Sequence, residues 1–588
     1  MPFRSLLMTS LRAAGLVTLA CALPACAPVA PDARTQPGVG REPVALRILA
    51  FNDFHGHLRP GEAGTVAVPD PAVAGGVRRV EAGGAAALAD LVGQRRAGQE
   101  HVLLLSTGDL IGASPLTSAL FHDEPTIEAM NRIGVDANVV GNHEFDRGRA
   151  ELMRLIAGGC APPSADGVRA SCAAPEGRYA GARFPFLAAN VRDADGRLIL
   201  PASIVRKAGP VRVAVVGAVT RTTPTIVAQA GIAGLRFDDE AESINREVRS
   251  LRAQGIEAIV ALIHEGGRAA AETGPAGECL RASGPIFEIV DRLDPAIDLV
   301  LSGHTHQSYL CRRKGIPVVQ SGAYGRALAE IDLRIDATTG DVLSGAVVMR
   351  NLPVLHDPAR ADPAVAALVE RYASLARPRA EREVGRLREA VGVQPSAGGD
   401  SPAGRLIADA QLAATRGKAV GAAQIAFMNP GGIRAALAMR TPEGAVSYGD
   451  AFAMQPFGNS LVTMTLTGAQ IATLLEQQWT GVNRDRPRIL QPSAGFGYVW
   501  DANAPAGARV VPGTMRLDGR PIEPQAVYRV TVNSFLADGG DGFTVFTEGE
   551  GRVGGPQDLD ALTAWLRARS PLTPDAVPRI ERRGRPAL

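Results

Sequence analysis

Five short apolar runs punctuate the first half of the chain: Leu46–Phe51, Val102–Leu105, Ala137–Val140, Ala258–Ile263 and Leu299–Ser302. They lack the alternation of a half-exposed strand and are too short for ordinary helices, which predicts strands buried on both faces. Polar side chains follow each run almost at once. They are Asp53-Phe54-His55, Gly108-Asp109, Gly141-Asn142-His143-Glu144, His264 and Gly303-His304-Thr305-His306. In a parallel α/β sheet, ligands gather beyond the carboxyl ends of the strands. The pattern therefore predicts that all five clusters converge on one edge.

Beyond Pro353 the pattern changes. Val365, Leu368, Val369, Tyr372 and Leu375 recur at helical spacing with charged residues between them, predicting a linker helix over Pro363–Leu387. Strand and helix signals resume at Leu406–Ala414, Ile425–Met428, Ser460–Thr467 and Tyr528–Asn533, with no internal repeat of the first half. A chain of 588 residues exceeds one ordinary core. The expected division is a first domain over 44–355, a linker over 356–387 and a second domain over 388–580.

Composition adds little to this picture and the amino terminus adds more. Hydrophobic content of 46% is that of a globular chain, and a formal charge of +2 gives no argument for a nucleic-acid partner. Arg4 and Arg12 flank Leu6–Met8, and an apolar stretch over Ala13–Ala22 follows that is short for a spanning helix, which predicts a signal peptide over 1–25. Leu23-Pro24-Ala25-Cys26 resembles a bacterial lipoprotein box, with Cys26 as the lipid-anchored residue; an ordinary secretory signal is the alternative. Residues 26–43 then form a Pro-rich tether. An exported protein in the periplasm or cell envelope is expected. Cys160, Cys172, Cys279 and Cys311 remain in the mature chain, and Cys160–Cys172 with Cys279–Cys311 is the sequence-local choice among three connectivities.

The clusters carry the chemistry. A lone Asp-x-His is usually a polar loop and a lone His264 usually a core histidine, but five such clusters in order on strand ends point to a metal site. Imidazole, carboxylate and Asn donors without Cys suit divalent Zn, Mn, Co or Fe rather than a structural thiolate zinc. Two ions about 3.5–4 Å apart can acidify a water and clamp a phosphate oxygen. Asp109 is the natural bridge, since its two oxygens can each face one ion. Hydrolysis of a phosphate ester or anhydride is implied.

The succession Asp-x-His, Gly-Asp, Gly-Asn-His-Glu, His, Gly-His-x-His resembles the calcineurin-like metallophosphoesterase superfamily. The fuller segments FNDFHGHL, STGDLIGASP, GNHEFDRG and SGHTHQ are similar to the 5′-nucleotidase family, which includes bacterial UDP-sugar hydrolases, and the resemblance runs from Leu46 to about Arg579. It implies an α/β chain: an N-terminal metallophosphoesterase β-sandwich flanked by helices, a linker helix, and an α+β C-terminal 5′-nucleotidase domain. It further implies that Asp53, His55, Asp109 and His306 hold one ion, while Asp109, Asn142, His264 and His304 hold the other. His143 would stabilise charge on the transferred phosphoryl group, oriented by Asp146.

The second domain has Gly-rich segments of its own: Asn429-Pro430-Gly431-Gly432-Ile433-Arg434, Gln455–Asn459 around Phe457, and Ser534–Phe543. A Gly-rich turn ending in Arg can present backbone donors and a guanidinium to phosphate. By composition Phe457 and Phe535 read as core. The family resemblance instead places them on the base, with Asp541 on the ribose hydroxyls and Asn429 and Arg434 toward base and phosphate. One departure stands out. Pro402 occupies a position where relatives often carry a phosphate-binding Arg, and Arg405 replaces the usual Asn and is the candidate to compensate. The expected activity is hydrolysis of nucleoside 5′-monophosphates, extending to UDP-sugars and other nucleotides. The alternatives are cleavage of 2′,3′-cyclic nucleotides or a sulfur ester on the same scaffold, or a non-catalytic surface lipoprotein.

Overall fold

In a computed structural model of the chain, the five apolar runs are strands, but they belong to two sheets rather than one. The structure describes residues 42–70, 76–162, 170–174, 177–270, 273–274, 277–439 and 441–584. The expected signal peptide, Cys26 and most of the tether lie outside these residues. The first sheet runs Val348–Pro353, Ala327–Ile335, Val44–Phe51, Val102–Ser106, Ala137–Val139, Phe186–Leu187 in spatial order, and its last four strands are parallel. The second runs Ser308–Arg313, Ile316–Ser321, Leu299–Ser302, Ala258–His264, Val211–Val219, Ser203–Ala208, with a parallel centre.

The continuous apolar runs follow from burial on both faces. Ile48, Leu105 and Val139 of the first sheet meet Val215, Val260 and Leu301 of the second in one core. Their sequence neighbours point the other way. Leu49, Phe51 and Leu104 pack with Leu88, Ile127 and Met130 of the helices Ala85–Arg96 and Glu124–Ile133. Ile259, Ala261 and Ile263 pack with Ile244, Val248 and Val290 of Glu240–Ala253 and Pro285–Arg292. A period of two with both faces covered leaves no polar position. The result is a β-sandwich flanked by helices. Register then aligns the strand ends: Phe51 pairs with Ser106, Ser106 with Asn138, and Ile263 with Ser302. Each polar cluster therefore starts at the same edge of its sheet.

The expected linker helix is shorter than its pattern. It spans Pro363–Ala380 and is capped by Asp362, whose carboxylate accepts the Val365 N–H at 2.9 Å. Val365, Leu368, Val369 and Tyr372 are buried, but Leu375 is 52% exposed. Residues Glu383–Arg386 are extended and pair with Ala445–Ser447, because this stretch finds a strand partner in the second half of the chain. That half is α+β. Its main sheet runs Gln491–Pro492, Ile425–Met428, Val527–Asn533, Ser460–Thr467, Glu550–Gln557 around Phe427, Met464, Val530 and Val532. The linker helix packs on both halves, and its hydrophobic cluster takes in Leu406, Ile407, Leu562 and Leu566. Disulfides join Cys160 to Cys172 and Cys279 to Cys311. Among the described residues no helix is long and apolar enough to cross a membrane.

Candidate active site

The loops beyond the strands bend sharply, and the bends fall on the candidate ligands themselves. Asp53, His55, Asp109, His304 and His306 all have φ between 47° and 68°. Non-glycine residues seldom adopt this region, and those that do gather where the surrounding structure enforces a function. Glycine makes the close approach possible at Gly141. A Cβ there would run into Asp109 and the ring of His264.

The donors face one another. His55 Nε2 lies 3.2 Å from His306 Nε2 and 3.7 Å from Asp109 Oδ2. His306 Nε2 is 3.3 Å from Asp53 Oδ1, and His264 Nε2 is 3.1 Å from Asp109 Oδ2. Asp53, His55 and His306 form one trio whose donor atoms lie within 4.8 Å, and Asp109, His264 and His304 form another. Asp109 Oδ2 faces a histidine of each trio. The buried Oδ1 of Asn142 has no hydrogen-bond partner. Outer contacts fix the rings, since His55 Nδ1 meets the Gly112 carbonyl at 2.8 Å and His264 Nδ1 the Thr107 carbonyl at 2.7 Å, leaving each Nε2 to the site. The Asp53 carboxylate accepts from the His304 N–H at 3.0 Å and the Asn52 amide at 2.6 Å. Glu144 ties the loops together by accepting the N–H groups of Asp109, Leu110 and Gly141.

Around the anionic centre the imidazoles diverge: at His264 burial is outweighed by the Asp109 carboxylate, which pushes it up to about 10. Burial pulls His55 and His304 well below the ordinary histidine range. Asp109 stays ionised against its burial because His264, His143 and His55 surround it. Facing imidazoles, an ionised carboxylate and an orphaned amide oxygen drawn inward make a donor set that fits divalent cations.

His143 stands beside this set. Its N–H donates to Asp109 Oδ1 at 2.9 Å, its Nδ1 meets Asp146 Oδ2 at 2.7 Å, and its ring lies 4.9 Å from His55. Burial lowers its proton affinity, but Asp146 and Asp109 more than offset this, and the net shift is upward.

Asp109, Asn142, His143, His304 and His306 open into a cleft of about 490 Å³, and Asn429, Arg434, Phe457, Phe535 and Asp541 line it from the second half of the chain. Phe457 stacks on His143 with ring centroids 5.9 Å apart and 14° between planes, and Arg434 lies over the Phe457 ring at 5.9 Å. Asn429 donates to Asp541 Oδ2 at 2.8 Å and accepts from Asn533 at 3.0 Å. Arg405 is elsewhere. It is buried, pairs with Asp400 at 2.8 Å, donates to the Asp575 carbonyl and does not line the cleft. The expectation that it compensates for Pro402 is corrected: a guanidinium on this buried helix face needs a carboxylate beside it, and Asp400 supplies one.

Four further residues were not singled out from the sequence. Asn52 and Glu144 hold the ligand loops, and Arg486 and Arg488 line the cleft. The Arg-x-Arg-x-Arg run from Arg484 was visible, but such a run is indistinguishable from a solvated loop by composition.

A sandwich with clustered divalent-metal donors at its strand ends defines a metal-dependent phosphoester hydrolase. Residues 46–308 match the family described as calcineurin-like phosphoesterase, and residues 383–548 match the 5′-nucleotidase C-terminal domain. The chain belongs to this 5′-nucleotidase family of metallophosphoesterases. It is 32% identical to endonuclease YhcR of Bacillus subtilis over 90% of this chain and 40% of that protein. It is 30% identical to cell wall protein Lmo0130 of Listeria monocytogenes over 88% of this chain and 66% of that one. The chain thus spans less than two thirds of these two relatives. A 5′-nucleotidase of Vibrio cholerae is 27% identical over 90% of this chain and 91% of its own length. The crystal structure of a 5′-nucleotidase precursor from Thermus thermophilus superposes with a TM-score of 0.72 at 26% identity, covering 92% of this chain and all of that one.

Proposed function

We propose that the chain hydrolyses nucleoside 5′-monophosphates, with one group of loops acting on the phosphate and the other holding the nucleoside. The observation that carries this reading is the shared cleft, which one half lines with metal donors and His143 and the other with Phe457, Phe535 and Asp541. The Vibrio cholerae relative, similar along nearly its whole length, supports the same substrate class.

Asp53, His55, Asp109 and His306 would hold one divalent ion, and Asp109, Asn142, His264 and His304 the other. When bound, such a pair acidifies a water and neutralises charge on phosphate oxygens. The chain's own residues do the rest. His143, its proton affinity raised by Asp146, donates a charge-assisted hydrogen bond to the phosphoryl oxygen as charge develops there. Arg434 adds a second cation beside it. Phe457 and Phe535 stack on the base, and Asp541, braced by Asn429, accepts from the ribose hydroxyls. Asp109 fixes the backbone of His143, which couples the position of that donor to the metal donors.

Export is part of the proposal. Two disulfides support an oxidising compartment. Lipid anchoring at Cys26 rests on the sequence box alone. The test is phosphate release from AMP, ADP, UDP-glucose, 2′,3′-cyclic AMP and p-nitrophenyl phosphate, with and without EDTA, then with Zn, Mn or Co restored. Metal-dependent release from AMP at the highest kcat/KM is expected. Turnover confined to the cyclic or non-nucleoside esters would overturn the nucleoside assignments and leave the metal site standing.

A further inference from the structure

The correction at Arg405 leaves a question of charge. A nucleoside monophosphate brings a dianion, and the arginine expected to meet it is paired with Asp400 outside the cleft. Arg434 covers one side of the site. It lies over the ring of Phe457, which stacks on His143. Among the residues lining the cleft, a second cation without a partner is Arg486, on the loop between Trp479 and Leu490.

Its surroundings are specific. Arg488, two residues on, is committed: its Nε lies 3.4 Å from Asp541 Oδ1, and its Nη1 donates to Asn483 at 2.8 Å. Asn483 in turn donates to the Asp541 carbonyl at 2.8 Å, so the loop is fastened to the turn that carries Asp541. Arg486 makes no hydrogen bond or ion pair among the described residues. It lines the same cleft as His304 and Asp541. Its side chain is exposed to solvent. A guanidinium with no anion of its own is poised for one from solution.

We propose that Arg486 is a phosphate-positioning residue, which with Arg434 holds the substrate phosphate in the cleft and takes the place left by Pro402. The assignment rests on the phosphohydrolase reading of the cleft, and its substrate class is a phosphate monoester dianion attached to a nucleoside. Arg488 orients Asp541, and Arg486 meets the phosphate oxygen nearest His304. The loop thus links recognition of the ribose to recognition of the phosphate.

The test compares Arg486→Ala, Arg486→Lys and, as a control on the same loop outside the cleft, Arg484→Ala. Affinity of the metal-loaded full chain for inorganic phosphate is measured by calorimetry, alongside KM and kcat for AMP and bound metal per chain. Arg486→Ala is expected to weaken phosphate binding and raise KM by about tenfold or more, the scale of a lost charge-assisted hydrogen bond. Metal content should be unchanged, Arg484→Ala should match the parent, and Arg486→Lys should recover part of the loss because it restores charge without the fork. Phosphate affinity within twofold of the parent in Arg486→Ala would overturn the proposal, even if AMP is a good substrate. A tenfold loss of phosphate affinity would support it even if AMP proves a poor one, so the two readings fail separately.

Discussion

The two groups of loops that share the cleft are built differently. The metal-donor loops are fixed from within. Five of their side chains sit on left-handed backbone, their ring nitrogens are oriented by carbonyls, and Glu144 binds three backbone N–H groups at once. The nucleoside loops are fixed by side chains reaching one another: Asn533 to Asn429, Asn429 to Asp541, Arg488 to Asp541. Phe457 and Phe535 remain half-exposed at the surface of their loops. Chemistry at a metal centre tolerates little misplacement, whereas stacking on a flat base tolerates sliding. Each construction suits what it holds.

The largest expected effect tests the rigid group. Asp109→Asn keeps the volume but removes the charge that faces both trios, and it weakens the acceptor for the His143 N–H. Phosphate release should fall close to the uncatalysed rate, and bound metal should fall with it. A variant that retained full metal and more than a tenth of the parent rate would remove Asp109 from the centre of the arrangement. His143→Ala separates metal holding from charge stabilisation. Turnover should drop about 10²–10³-fold, as for loss of one preorganised donor, while metal per chain stays at the parent value. Loss of metal in that variant would make His143 a ligand instead.

The same contrast explains what could be read from the chain. The strand runs and the metal clusters were legible because burial on both faces writes an uninterrupted apolar run, and because five ligand-type clusters in order are improbable otherwise. Their division between two sheets was not legible as pattern, since Ala258–Ile263 looks the same in either sheet; the family resemblance supplied the sandwich. The nucleoside loops were less legible. Phe457 and Phe535 have the composition of core residues, and only the resemblance placed them in a site. Arg405 was misread because nothing local in Gly404-Arg405-Leu406 reveals that its guanidinium turns back to Asp400, just before the helix. Arg486 was missed because the residues that share its cleft, such as His304 and Asp541, lie far from it in sequence.

A smaller effect tests the adaptable group. Phe535→Ala should raise KM for AMP by the ~1–3 kcal/mol of one stacking contact, about 5–150-fold, and leave hydrolysis of p-nitrophenyl phosphate near the parent rate. Phe535 is the cleaner choice, because Phe457 also touches His143 and its loss would mix the two groups. Equal losses on both esters would mean that Phe535 supports the fold or the metal loops rather than a base.

The smallest effect on turnover comes from the anchor of the Phe457 loop. Asp558 is buried at the start of the helix Asp558–Ala568; its own N–H donates to the Asn459 carbonyl at 2.8 Å, and its carboxylate accepts the Leu559 N–H at 2.8 Å and faces the Asn459 amide. Burial pushes its proton affinity up to about 7, against 3.8 in the unfolded chain, with the Leu559 and Asn459 contacts opposing. The folded state therefore holds this proton more tightly than the unfolded one. Its contribution to stability is fully present below pH 4 and is lost as the pH rises through about 7, a change on the order of 4 kcal/mol. Asp558→Asn cannot ionise and should flatten that part of the stability profile, gaining on the parent at pH 8 and not at pH 4. Asp298 at the edge of the sandwich is likewise pushed to about 7 by burial and adds a loss of the same sign. Only the Asp558 change should also lower KM for AMP at pH 8, because only Asp558 is hydrogen-bonded to the Phe457 loop, through Asn459. Denaturant unfolding of both Asn variants at pH 4, 6 and 8, with KM at pH 8, reads the two effects together. An identical KM in the two variants would detach the Phe457 loop from its anchor and make the adaptable side of the cleft independent of the helix below it.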